Sequence, residues 1–154
     1  MMCAGIALPL SELPAEILGK PGMDGRVHTR GGEREVRFLY RQCEPVLPVW
    51  HEGRLQLVAW GGKRNRSLPR GGWVWQEDIE DGQWQGRSPE PVDIPAAAGW
   101  ENGIWFKVQE GMRGVIVADE RRVPAVYLIC EPSSHYYQIM TKSKRMPVLI
   151  GERI

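Results

Sequence analysis

A β-rich α+β fold, its strands arranged in meanders with one or a few short helices, is the fold class this sequence predicts. Three observations carry that reading. Short apolar runs rich in β-branched and aromatic residues recur along the chain. Glycine and proline interrupt them often, 18 and 12 times in 154 residues, too often for long helices. Only one stretch carries a helix signature. The chain is 42% hydrophobic and 25% charged, a globular composition, and its length suits a single domain spanning residues 1–154.

The helix signature lies at residues 11–18. Ser11 can cap, Glu12, Ala15 and Glu16 favour helix, and Leu10, Leu13, Ile17 and Leu18 share a face. Pro14 is tolerable there only because it falls in the first turn. Residues 19–32 are glycine-rich and polar and read as a mobile loop. Residues 36–40 read as a strand. Residues 46–50 and 54–60 read as a hairpin turning through His51-Glu52-Gly53. Residues 61–72 form a basic loop, and residues 73–99 are acidic and proline-rich with no clear period. Residues 104–109, 114–118, 125–130 and 136–140 read as consecutive meander strands joined by short polar turns. Residues 148–150 are a last short apolar piece.

The net charge is +1, so no global field points to nucleic acid or membrane. The local distribution is less even. Lys63, Arg64, Arg66 and Arg70, with Asn65 among them, form a loop without an acid. Lys142, Lys144 and Arg145 add a second group, and Arg26, Arg30, Arg34, Arg37 and Arg41 a third that Glu33 and Glu35 dilute. Cations beside aromatic rings suit single-stranded nucleic acid, the cations neutralising phosphates and Trp60, Trp73 and Trp75 stacking bases. The competing reading is a set of solvated loops around a tryptophan-filled core. Three cysteines without CxxC spacing argue against a disulfide framework and for a reducing, cytoplasmic setting. No signal peptide and no apolar run long enough to span a membrane is seen. His28, His51 and His135 lack zinc-type spacing, so neither metal nor cofactor is expected. Glu101 and Glu110, near strand ends, are possible acid–base groups, though such residues are more often solvated in turns.

Cys3 stands behind Met1 and Met2. An N-terminal cysteine carries an amine with a pKa of roughly 7.7–8.0 and a thiol near about 8.5, both partly deprotonated at neutral pH. Together they can condense with an aldehyde, first as a Schiff base and then as a five-membered thiazolidine. On position alone Cys3 also fits an inert residue near a fraying terminus.

Several segments in order resemble the SRAP family (SOS response-associated peptidase-like proteins). Met2-Cys3-Ala4-Gly5 resembles its Met-Cys-Gly-Arg start. Residues 40–49, Tyr-Arg-Gln-Cys-Glu-Pro-Val-Leu-Pro-Val, resemble its Tyr-Asn-x-Ala-Pro stretch. Residues 57–61 are similar to its apolar-Trp-Gly element, and residues 136–141 to its Phe-x-Ile-x-Thr strand. Arg145-Met146-Pro147-Val148 is close to its Arg-Met-Pro-Val signature and is the most specific match. The resemblance spans nearly the whole chain, with residues 71–103 matching poorly. It implies a strand-rich mixed fold, binding of single-stranded DNA, and capture of the ring-opened aldehyde of an abasic site by a cysteine freed of its initiator methionine. Cys3 would then be the nucleophile, Lys63, Arg64, Arg66, Arg70 and Arg145 phosphate contacts, and Trp60 and Trp73 stacking platforms.

The departures are specific. Ser143 stands where the family has a histidine, and Gly5 where it has an arginine. In Gly103-Ile104-Trp105-Phe106-Lys107, Phe106 falls where the family's Gly-aromatic-aromatic-Glu-Trp stretch has its glutamate. Asn65 is a weak counterpart of its Asn-Ala-Arg element. The family's chain continues past Arg-Met-Pro-Val, which implies a shortened member here. Met2 is not small, so exposing Cys3 requires initiation at Met2 or self-processing. Two alternatives stay open: a non-catalytic nucleic-acid-binding domain that has lost the acid–base residues, and an interaction or small-ligand-binding β domain.

Overall fold

The computed structural model describes residues 4–154. In chain order it contains β1 (Gly5–Pro9), α1 (Ala15–Leu18), β2 (Val27–Arg30), β3 (Glu33–Leu39), β4 (Val46–His51), β5 (Arg54–Trp60), β6 (Trp73–Trp75), α2 (Gln76–Glu80), β7 (Glu90–Pro95), β8 (Ala98–Glu101), β9 (Ile104–Lys107), β10 (Gly111–Ala118), β11 (Pro124–Pro132), α3 (His135–Thr141) and β12 (Arg145–Pro147). The fold is β-rich α+β with a few short helices, as the composition predicts.

Two sheets share the core. The first is antiparallel throughout, in the order β2-β3-β1-β8-β9, so the first strand of the chain is its middle strand. The second closes on itself as a small barrel, β10-β7-β4-β5-β11 and back to β10, with β5 and β11 parallel and β12 and β6 attached to β11. Leu47, Val49, Ile94, Met112, Val126 and Leu128 fill the barrel, and the same apolar cluster continues into Ile6, Val36 and Phe38 of the first sheet. The other faces of β10 and β11 carry Val115, Val117, Ala125 and Tyr127, covered by Leu68, Ile79 and Trp84. These strands are therefore apolar on both faces, which a one-sided alternation does not describe.

Tight turns set the registers. The β4–β5 hairpin turns through Glu52 and Gly53, both at positive φ, where sequence analysis places it. The β8–β9 hairpin turns through Asn102 (φ 49°) and Gly103 (φ 81°). Two residues of positive φ match the right-handed twist of the flanking strands, and Asn-Gly is a strong sequence signal for this turn. The signal lies at residues 102–103, which the expected strand boundaries leave unassigned.

Several expectations are corrected. Residues 136–140 are not a strand but the helix α3. Ser134 caps it by accepting a hydrogen bond from the Tyr137 N–H at 3.1 Å. Tyr137 and Thr141 are buried while Tyr136 and Ile139 are exposed, which is a helical period and not an alternation. The single helix expected at residues 11–18 is split. Leu13 is extended (φ −101°, ψ 133°) because it precedes Pro14, so a 3-10 turn at Leu10–Glu12 ends there and α1 starts afresh at Ala15. The four-strand meander reduces to the β10–β11 hairpin, since β9 belongs to the other sheet. Residues 73–99, read as aperiodic, hold β6, α2, β7 and the start of β8.

Gly61 joins β5 to the basic loop at φ +75°, and a Cβ there would lie 2.1 Å from the Gly71 carbonyl oxygen. Gly61→Ala is expected to cost about 3 kcal/mol, from the left-handed backbone and the backbone clash together. Gly25→Ala, with open space around it, is the control. Urea unfolding checks this: equal midpoints for the two variants would refute the close approach.

Candidate functional site

The chain start is tied into the middle of the first sheet. The Ala4 N–H donates to the Trp100 carbonyl at 2.7 Å, and the Ala4 carbonyl accepts from the Tyr40 N–H at 2.9 Å. β1 continues this pairing on both edges, with Gly5 opposite Leu39 on β3 and Trp100 on β8. A terminal strand held in this way does not fray. Cys3 itself lies outside the described residues.

At the same end of β8 is Glu101, fully buried at 0% exposure. The sequence expectation of a solvated turn residue is therefore wrong for it. Gly99, Glu101 and Phe106 face inward, and Trp100 and Trp105 face outward. The excursion between β11 and β12 closes over the carboxyl. Its base is fastened by the Ser133 N–H to the Lys144 carbonyl at 3.0 Å and by Ser133 Oγ to the Ser143 carbonyl at 2.8 Å. Inside it, Thr141 Oγ1 donates to the Tyr137 carbonyl and accepts from the Ser143 N–H. Asn102 Nδ2 donates to the Thr141 carbonyl at 2.7 Å, which locks the β8–β9 turn to α3. The Tyr137 ring packs edge-on against Phe106 at 5.4 Å.

Neither carboxyl oxygen of Glu101 has a hydrogen-bond partner of normal geometry among the described residues. Burial pushes its pKa up to about 7, and the Ser143 and Tyr137 hydroxyls nearby draw it back only in part. A carboxyl poised near neutrality can give or take a proton, as acid–base catalysis requires. Ser143, the residue in the histidine position of the motif pattern, is buried beside it. Phe106 is not a substitute for the missing glutamate but a core residue packed on Tyr137. The signal for Glu101 was Gly99-Trp100-Glu101, a glycine–aromatic–glutamate run one residue shorter than the pattern sought at residues 103–107.

The other sequence-derived residues divide between two places. Lys63 Nζ donates to the Tyr40 and Gln42 carbonyls and lies 5.3 Å from the Tyr40 ring. Trp73 is half-buried, with its ring 4.7 Å from that of Tyr40. Both therefore reach the residue that bonds Ala4. Arg145 lies two residues after Ser143 with its guanidinium 4.3 Å over the Trp75 ring. Arg64 and Asn65, together with Lys63, line a cavity of about 330 Å³ on the barrel side, with Val46, Ala59 and Pro124. Arg64 pairs with Glu44 at 3.2 Å, and Asn65 donates to Asp119 at 2.9 Å. Arg66 and Arg70 are exposed. Trp60 is corrected: it is 1% exposed, with its indole N–H given to the Gly72 carbonyl at 2.9 Å, so no base can stack on it.

Among the described residues no cluster of three metal-ligating side chains occurs, and no helix is long and apolar enough to cross a membrane. His51 pairs with Glu90 at 2.8 Å. Compared with protein-family models, curated proteins and solved structures, the chain matches none.

The Glu101 carboxyl holds its proton to higher pH in the folded protein than in the unfolded chain. Its contribution is therefore most favourable at acid pH and is lost as pH rises from about 4.5 to about 7. A shift of this size corresponds to roughly 3 kcal/mol. Urea unfolding between pH 4.5 and 8 is expected to show that decline in the wild type and a flatter profile in Glu101→Gln, with the variant more stable than the wild type above pH 7. Parallel profiles would mean that Glu101 is not held neutral.

Proposed function

We propose that this chain is an SRAP-like domain that binds single-stranded DNA and captures abasic sites through Cys3 when that residue is N-terminal. What carries the reading is Glu101, a buried carboxyl with a pKa of about 7, at the strand end where the chain begins. The chemistry is a condensation. The Cys3 amine adds to the aldehyde carbon of the ring-opened sugar to give a carbinolamine. Loss of its hydroxyl as water, on protonation by the neutral Glu101 carboxyl, gives the iminium ion. The Cys3 sulfur then attacks the iminium carbon, whose electron pair passes to nitrogen, closing the thiazolidine. The thiol proton is removed by the Glu101 carboxylate, which restores the acid. The sum is aldehyde plus aminothiol giving thiazolidine and one water, with no oxidant or reductant. A group titrating near the working pH serves both halves of this cycle. Lys63 and Arg41, which reach the Tyr40 and Trp100 that bond Ala4, supply positive charge for the flanking phosphates.

One observation favours a second reading, a nucleic-acid-binding domain without the covalent step. The hydroxyl of Ser143 does not exchange protons near neutrality as an imidazole does.

Incubation of protein that begins at Cys3, verified by mass, with an abasic single-stranded oligonucleotide separates the two. The first reading expects a crosslinked band on a denaturing gel, absent for Cys3→Ala and formed about 100-fold more slowly by Glu101→Gln. The second expects salt-sensitive binding of unmodified strands, unchanged in Cys3→Ala, and no such band. Absence of any Cys3-dependent band would sink the covalent reading.

A further inference from the structure

The outer face of the first sheet is small-floored, cationic and aromatic. Gly5, Ala7 and Ala98 occupy outward positions of its two central strands, with the Leu39 side chain lying over Gly5. Trp100 and Trp105 stand opposite each other on β8 and β9, with ring centroids 6.2 Å apart and planes inclined at 36°. Arginines reach over these rings from the far side of the sheet. Arg41 lies 5.1 Å from the Trp100 centroid, and Arg30 and Arg37 lie 5.0 and 5.1 Å from that of Trp105. Between Arg37 on β3 and Trp105 on β9 run two whole strands, so these side chains meet across the outer face, above the alanines. Glu35 fixes the pair from beneath, accepting from Arg37 at 2.8 Å and from Arg30 at 2.9 Å. That pairing holds the Glu35 carboxyl below the usual range despite its burial. Lys107, opposite Ala98, adds a further exposed cation.

We propose that this face is the track on which single-stranded DNA lies as it leaves the chain start, its bases taking the places of the arginine planes on Trp100 and Trp105 and its phosphates pairing with Arg41, Arg30, Arg37 and Lys107. The inference rests on the abasic-site reading for the direction of the strand, because Trp100 is the residue that holds Ala4. The surface itself argues for a single strand. A guanidinium held over an indole by a cation–π contact marks an open ring face where a flat π system fits, and base–aromatic stacking is tolerant of sequence. A duplex hides its base faces and offers nothing to these rings. Unlike Arg66 and Arg70, exposed on the loop at residues 63–70, these cations are organised by a rigid sheet.

The test is fluorescence anisotropy with a labelled, unmodified single-stranded oligonucleotide of about 15 nucleotides, enough to cross the five strands at the spacings of a sheet and of extended DNA. Trp105→Ala is expected to weaken binding about tenfold or more, and Trp105→Phe to recover most of it. Arg41→Ala and Lys107→Ala should each lower the slope of log affinity against log salt by about one, and Arg121→Ala on the distant β10–β11 loop should leave it unchanged. Thermal melts identify any variant that is merely unfolded. Wild-type binding by Trp105→Ala and Arg41→Ala, with abasic crosslinking intact, overturns the track and leaves the covalent reading standing. Binding that depends on Trp105 without any crosslink overturns the covalent reading and supports the track. Duplex DNA competing as well as the single strand also overturns the track.

Discussion

Hydrogen bonding of β1 on both edges, to β3 and to β8, is the constraint from which the rest of the structure follows. It makes the beginning of the chain an interior feature of a sheet. It also fixes which side of β8 faces the core, because the register of Ile6 with Gly99 and of Gly5 with Trp100 leaves no freedom to slip: a shift of one residue would turn Glu101 outward and Trp100 inward. The inner carboxyl and the outer aromatic face are thus two consequences of one pairing. The barrel serves this sheet as a rigid partner, its interior apolar cluster running without a break into Ile6, Val36 and Phe38.

A buried carboxyl without good hydrogen-bond partners is a costly thing to keep, and proteins tolerate it mainly where it has work to do. Here the cost is contained by geometry. α3 and the segment after it fold over Glu101 with their own polar groups satisfied among themselves, Thr141 to Tyr137, Ser133 to Ser143, Asn102 to Thr141. Burial more than any partner pushes its pKa up to about 7. The outer face shows the opposite solution: Glu35 is buried too, though less completely than Glu101, and two guanidiniums keep it ionised. One sheet thereby holds a carboxyl poised near neutrality on one side and an anion inside a cationic cluster on the other.

Much of the fold was legible in the sequence because its cues are local. The β4–β5 hairpin follows from Gly53 between two apolar runs, and the strand-rich class from the density of turn residues. What was not legible depended on distant partners. Residues 136–140 are aromatic and β-branched enough to read as a strand, and only the cap at Ser134 together with burial of Tyr137 and Thr141 makes them a helix. Glu101 sits beside an Asn-Gly turn, where exposure is the natural expectation, and it is covered by residues some forty positions later in the chain. Trp60 reads equally well as a stacking platform or as core, and the Gly72 carbonyl decides for core. For the candidate site, Glu101 was named as a possible acid–base group, but its complete burial was not legible from its place beside a turn.

The place of β1 in the sheet also sets an order of events. Its contact with β3 joins residues close in sequence, but its contact with β8 must wait until residues 98–101 have been made. β1 therefore keeps one hydrogen-bonding edge open until those residues exist, and loop-closure entropy makes that pairing slow compared with the local hairpins.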